Sequence, residues 1–89
     1  MAVPVDRLSD LPSLADLAVG EEARVVEIDY RDAQQLRRLL VLGILPGARV
    51  VLLQRFPVYV LQVGWTKIAL DRRLARAVWV SRSPRDLYS

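Results

Sequence analysis

The run Leu39-Leu40-Val41-Leu42-Gly43-Ile44-Leu45-Pro46-Gly47 most restricts how this chain can fold. It reads as a helix end, a capping glycine, a hydrophobic corner and a Pro-Gly turn. Gly43 is free to take the left-handed conformation that closes a helix. Pro46-Gly47 supplies the fixed φ and the positive φ that a type II turn requires at its central positions. A strand-like segment over residues 49–55 follows at once. The chain must therefore contain a helix that turns sharply into a strand.

The surrounding pattern extends that junction into a fold. Ser13 caps a short turn, with Asp16 as its capping-box partner, and Leu14 and Leu17 share the face that plugs a core. Residues 22–29 read as a first strand with Val26 and Ile28 inward. Asp32 caps a helix over residues 33–42, with Gln35 as its capping-box partner. Leu36, Leu39, Leu40 and Gly43 fall at i, i+3, i+4 and i+7 and make its apolar stripe. Strands are expected over 48–55, 59–63, 66–70 and 77–80. Phe56-Pro57 breaks the second from the third, and Gly64-Trp65 makes a two-residue hairpin between the third and fourth. Asp71 to Ala75 forms one short helical turn. With 89 residues, only one small barrel can close, which would also remove exposed sheet edges.

Missing residue types exclude much chemistry. The chain has no cysteine and no histidine. That removes disulfides, thiol nucleophiles, the commonest general base and the commonest transition-metal ligand. No P-loop, H-E-x-x-H or Ser-His-Asp set is present. Carboxylate pairs such as Glu21/Glu22 and Glu27/Asp29 read as solvated surface charge. No catalytic residue, cofactor or metal ligand is expected, and the chain is read as a non-enzyme. The start lacks the basic and long apolar regions of a secretion signal. The longest apolar run, residues 39–48, is half of the roughly 20 residues that a spanning helix needs. A cytoplasmic location without membrane insertion is the expectation.

Charge is divided along the chain. Residues 1–32 carry eight acids and three arginines, whereas residues 33–89 carry ten bases and two acids. The basic part could meet nucleic acid, lipid or an acidic protein face, or simply pair with the acidic part of the same domain.

Residues 14–80 resemble the FeoA family, small cytosolic proteins associated with bacterial ferrous iron uptake. The matching elements are Leu14-x-x-Leu17-x-x-Gly20, then Arg38-Leu39-x-x-Leu42-Gly43-x-x-Pro46-Gly47-x-x-Val50. Val63-Gly64-x-x-x-Ile68-Ala69-Leu70, Leu74-Ala75 and Val78-x-Val80 follow in order. The chain departs at Phe56-Pro57, where many relatives carry a longer glycine-rich segment. The resemblance implies a mainly β fold: an SH3-like small five-stranded β-barrel with one helix inserted after the first strand. It implies an extended lead-in over residues 1–12, the domain over 13–81 and a polar tail over 82–89. It also implies a role in ferrous iron transport, a family-level link to transition-metal ions, and a partner. That partner is the cytoplasmic GTPase region of FeoB, a membrane ferrous-iron transporter. Related domains are fused to metal-responsive repressors. No DNA-binding module precedes this domain in the sequence, so a stand-alone form is expected.

A binding surface is the functional feature the residues suggest. Inward Val78 and Val80 place Trp79 outward, and Trp65 occupies a hairpin turn with no room to bury. Large aromatics beside arginines have the composition of interface anchors. The candidate interaction residues are Trp65, Lys67, Trp79, Arg55 and the corner Ile44/Leu45, with Trp65, Lys67 and Trp79 on one patch. A larger core that takes in both tryptophans is the competing arrangement. Arg38, Leu39, Leu42, Gly43, Pro46 and Gly47 are read as fold-makers. A regulatory or self-associating domain of another assembly, including a homo-oligomer, is the alternative function. Nucleic-acid binding by the basic part is the third, and it is not favoured because no reading motif is present.

Overall fold

The structure is a computed structural model that describes residues 10–82. Most of the expected lead-in and nearly all of the expected tail, residues 1–9 and 83–89, lie outside the described residues. The helix-to-strand junction forms as its residues dictate. Helix α1, Ala33–Val41, starts at Asp32, whose Oδ1 accepts from the backbone N–H of Gln34 and Gln35 at 3.0 and 3.2 Å. It ends with Gly43 at φ +86°. The Gly43 N–H donates to Leu40 and the Ile44 N–H donates to Leu39, both at 3.0 Å. These two bonds make a Schellman motif, whose usual companion is an apolar contact across the cap. Leu39 and Ile44 occupy those two positions, and both are fully buried.

This corrects the reading of Ile44 as an interaction residue. It is core, because the cap turns it back onto the helix it terminates. It also corrects the apolar stripe. Leu39 is buried and Leu36 packs at the core margin, but Leu40 is 43% exposed.

Five antiparallel strands follow the expected order. They are β1 (Glu22–Ile28), β2 (Arg49–Gln54), β3 (Tyr59–Val63), β4 (Thr66–Leu70) and β5 (Val78–Arg82), arranged β4-β3-β2-β1-β5. Val63 pairs with Thr66 across Gly64-Trp65, a two-residue turn. Helix α2, Arg72–Arg76, connects β4 to β5 and is capped by Asp71, whose Oδ1 accepts from Leu74 N–H at 2.8 Å. In β1 the inward residues are Ala23, Val25 and Ile28, not Val26. The register against β5 slips between Val25 and Glu27. Such a bulge inserts one unpaired residue and reverses the alternation beyond it.

The sheet does not close by a ladder: among the described residues β4 and β5 do not pair with each other. The end of the core is covered by a 3-10 turn, Leu14–Asp16, and by α2. Ser13 Oγ accepts from Ala15 N–H, and Asp16 accepts from Ser13 N–H at 2.8 Å, so the expected capping box is formed. Leu14 and Leu17 are fully buried beside Leu74 and Ala75. The outer edge of β5 is partly occupied by the incoming chain, where Val80 N–H donates to Pro12 C=O at 2.9 Å. The edge of β4 keeps Lys67 exposed.

Candidate interaction surfaces

The candidate residues separate into three places. Trp65 is fully exposed at the tip of the β3–β4 hairpin. A two-residue turn between paired strands holds it, so the ring is presented on a rigid support. Lys67 lies two residues on, exposed on edge strand β4. A charged side chain at that position also discourages unwanted strand pairing.

Trp79 lies at the other end of the sheet. It faces away from the core, as its buried neighbours Val78 and Val80 require, and is half-buried; its backbone forms an isolated antiparallel bridge with Ser13. It shares a groove with Tyr59, Arg55, Arg72 and Arg76. Tyr59 begins β3 and pairs with Leu70, whereas Val63 ends β3 beside the hairpin tip. Four residue steps at about 3.3 Å put these ends about 13 Å apart. Trp65, Lys67 and Trp79 therefore do not form the single patch expected from the sequence. Strand alternation settles which face a residue takes but not which end of the sheet it reaches.

Arg55 is tied down in the same groove. Its Nη1 donates to Leu17 C=O at 2.6 Å, and its guanidinium carbon lies 5.9 Å from the centroid of the Tyr59 ring. The remaining corner residue, Leu45, is 48% exposed. Leu40, Val41 and Leu42 are exposed nearby in sequence, Val41 at 81%. Val41 falls outside the i, i+3, i+4, i+7 stripe, which was the available signal for its exposure. Of the residues read as fold-makers, Leu39 is buried, Gly43 and Gly47 have φ +86° and +92°, and Leu42 is 37% exposed. Arg38 is exposed in a cleft with Asp71 and Arg73.

A small part of the divided charge pairs within the domain. Arg49 meets Glu22 at 2.6 Å and Arg82 meets Glu21 at 2.8 Å. Arg24 stands directly across from Arg49, and its Nη1 turns to Gly47 C=O at 2.9 Å. Asp29 takes Arg31 Nε and Nη2 at 2.8 and 2.7 Å. Those charge-assisted bonds hold the Asp29 carboxyl below the usual carboxylate range. Arg72, Arg73 and Arg76 are the contrast. Among the described residues none of the three has an ion-pair partner. The i, i+4 spacing of Arg72 and Arg76 beside the Asp71 cap was the available signal for this cluster. Among the described residues no group of three carboxylates, histidines or cysteines could hold a metal ion, and no helix is long and apolar enough to cross a membrane.

Five antiparallel strands, a helix after the first and capped turns at the core ends define an SH3-like small β-barrel. A family model described as FeoA domain matches residues 13–82. The chain belongs to the FeoA family, accessory or regulatory domains linked to ferrous iron transport. It is similar to an iron uptake regulatory protein (FeoA) crystal structure at 25% identity and TM-score 0.75, covering 82% of this chain and 97% of that one. The zinc complex of Stenotrophomonas maltophilia FeoA, described as a prokaryotic SH3-domain protein, is 30% identical with TM-score 0.69, covering 79% and 89%. A manganese-dependent transcriptional repressor is 25% identical with TM-score 0.76, but the match spans 81% of this chain and only 41% of the repressor. No curated protein sequence matches this chain.

Proposed function

We propose that this protein is a non-enzymatic, cytoplasmic accessory module of ferrous iron transport that binds the cytoplasmic GTPase region of a FeoB-type transporter. Trp65 carries the proposal: a large aromatic, fully exposed, on a two-residue hairpin of a domain from a ferrous-iron-transport family. A solvated tryptophan gains by burial against a partner, and a rigid turn loses little entropy on docking. Lys67 and Leu45 are further candidate contacts, whereas Arg55 serves mainly to tie β2 to the 3-10 turn. The module would act by binding one conformational state of its partner better than another, which shifts that partner's activity. Iron is the transporter's cargo in this scheme, and no ligand set for it is assigned to this chain.

The test is direct binding of purified wild type and Trp65→Ala to the cytoplasmic region of a FeoB-type transporter. Truncating an interface anchor typically costs about 2 kcal/mol or more, which is about 30-fold in affinity. The variant should melt like wild type, because Trp65 contributes no burial. Equal affinity of the two proteins, or no binding by wild type, would overturn the proposal.

A further inference from the structure

The groove at the end of the sheet opposite the hairpin holds a second set of chemistry. It has a volume of about 440 Å³, within the roughly 300–1,000 Å³ typical of ligand sites. Arg72 and Arg76 enter it from one face of α2, four residues apart. The helix is fixed by buried Leu74 and Ala75 and by the Asp71 cap, so both guanidinium groups project from an anchored base. Arg55 adds a third cation, held between Leu17 C=O and the Tyr59 ring. Leu11, Ala15 and half-buried Trp79 also border the groove, whose accessible wall is mostly polar. Asp16 is the carboxylate among the lining residues, and it is occupied by Ser13 N–H at 2.8 Å and the Ser13 hydroxyl at 3.3 Å.

We infer that this groove binds an acidic peptide segment of a protein partner, with carboxylates on Arg72 and Arg76. Guanidinium groups pair with carboxylates in planar, two-bond geometry. Neither arginine has an ion pair to give up among the described residues. A nucleic acid fits the same cations less well. Single-strand binding needs open ring faces for base stacking, but Tyr59 is 6% exposed and Trp79 is only partly exposed. The fixed Asp16 charge opposes a continuous phosphate backbone, whereas a peptide can place its acids on the arginine side alone. This site is separate from the Trp65 hairpin and does not depend on the partner proposed for it.

The test is fluorescence polarisation of the full chain with a labelled peptide of glutamates spaced by serines. A matched peptide with lysine for glutamate, a single-stranded oligonucleotide and inorganic phosphate are the comparison ligands. The acidic peptide should bind saturably. Its affinity should fall as salt rises above about 0.15 M, where the Debye length is about 8 Å. The double variant R72E/R76E should lose about tenfold or more in affinity. R72Q/R76Q, which removes charge without reversing it, should also weaken binding, and melting curves confirm that both variants fold. Trp65→Ala should bind the peptide like wild type, so loss of transporter binding and loss of peptide binding are read independently. Absence of saturation by the acidic peptide would overturn the inference. So would equal binding of the lysine peptide, or binding indifferent to both double variants. Tighter binding of the oligonucleotide, or full competition by inorganic phosphate at the peptide's own concentration, would assign the groove to phosphate instead and overturn it equally.

Discussion

Gly43 gives the cleanest quantitative test of the junction that organises the fold. Its φ of +86° lies in the left-handed region, and a Cβ built on it meets nothing within 4 Å. Gly43→Ala therefore adds backbone strain and no steric clash. A non-glycine residue in the left-handed conformation costs roughly 1–2 kcal/mol. Alanine also narrows the unfolded ensemble, which returns roughly 0.4–1 kcal/mol. The net expectation is a loss of about 1 kcal/mol, with both Schellman hydrogen bonds intact because the Gly43 N–H is retained. For a domain of this size that corresponds to a Tm lower by about 4–8 °C. Gly43→Asn should lose less, since asparagine tolerates positive φ, and Gly43→Val should lose most. Thermal melts followed by circular dichroism, with urea unfolding to check that m is unchanged, would measure all three. An unchanged or higher Tm for Gly43→Ala, or equal losses for asparagine and valine, would refute the reasoning.

Two further outcomes follow from neighbouring observations. Ile44→Ala should cost about 2–5 kcal/mol in urea unfolding, the range for emptying a buried aliphatic site, whereas half-exposed Leu45→Ala should cost about 1 kcal/mol or less; equal effects would return Ile44 to the surface. Asp29→Asn should lower stability at neutral pH by less than about 1 kcal/mol, as expected of an exposed pair. Because Arg31 depresses the folded-state pKa of Asp29, that contribution is present above the unfolded value near 4 and is lost as pH falls below it. The difference between variant and wild type should shrink toward zero in acid, and a difference that grows there would show the sign to be wrong.

The elements that were legible in the sequence are those whose determinants are local. Strands β3 and β4 have the expected bounds because a two-residue turn fixes their register from within the hairpin. The caps at Ser13 and Asp32 form because a side chain two or three residues away satisfies free backbone N–H groups. What was misread depends on distant partners. Val26 alternates correctly as a chain segment, but pairing with β5 inserts a bulge that changes its face. Ile44 resembles a surface corner because Pro46-Gly47 follows it, and only the closed Schellman geometry carries it back to Leu39. Trp79 faces outward, as strand alternation requires, and Trp65 is exposed by its hairpin turn, yet the fold places them at opposite ends of the sheet.

The charge distribution shows how far composition leads before geometry must take over. A basic segment following an acidic one predicts neither partner nor site, since the two can neutralise each other. Here they do so in part: Glu22 takes Arg49 and Glu21 takes Arg82, both pairs drawing on the acidic run just before or within β1. Exposed pairs of this kind contribute little stability, but they remove those arginines from the positive surface. The described acids within reach of α2 have other duties, with Asp71 and Asp16 both engaged in capping. Part of the excess charge gathers on Arg72 and Arg76 of α2 and on Arg55 in the groove beside half-buried Trp79. That local grouping, rather than the overall basicity, is what a binding partner would recognise, because a field from the guanidinium groups of Arg55, Arg72 and Arg76 is local and directional. Charge reversal at Arg72 and Arg76 should accordingly change peptide binding far more than the same reversal at Arg49 and Arg82, although the change in net charge is identical.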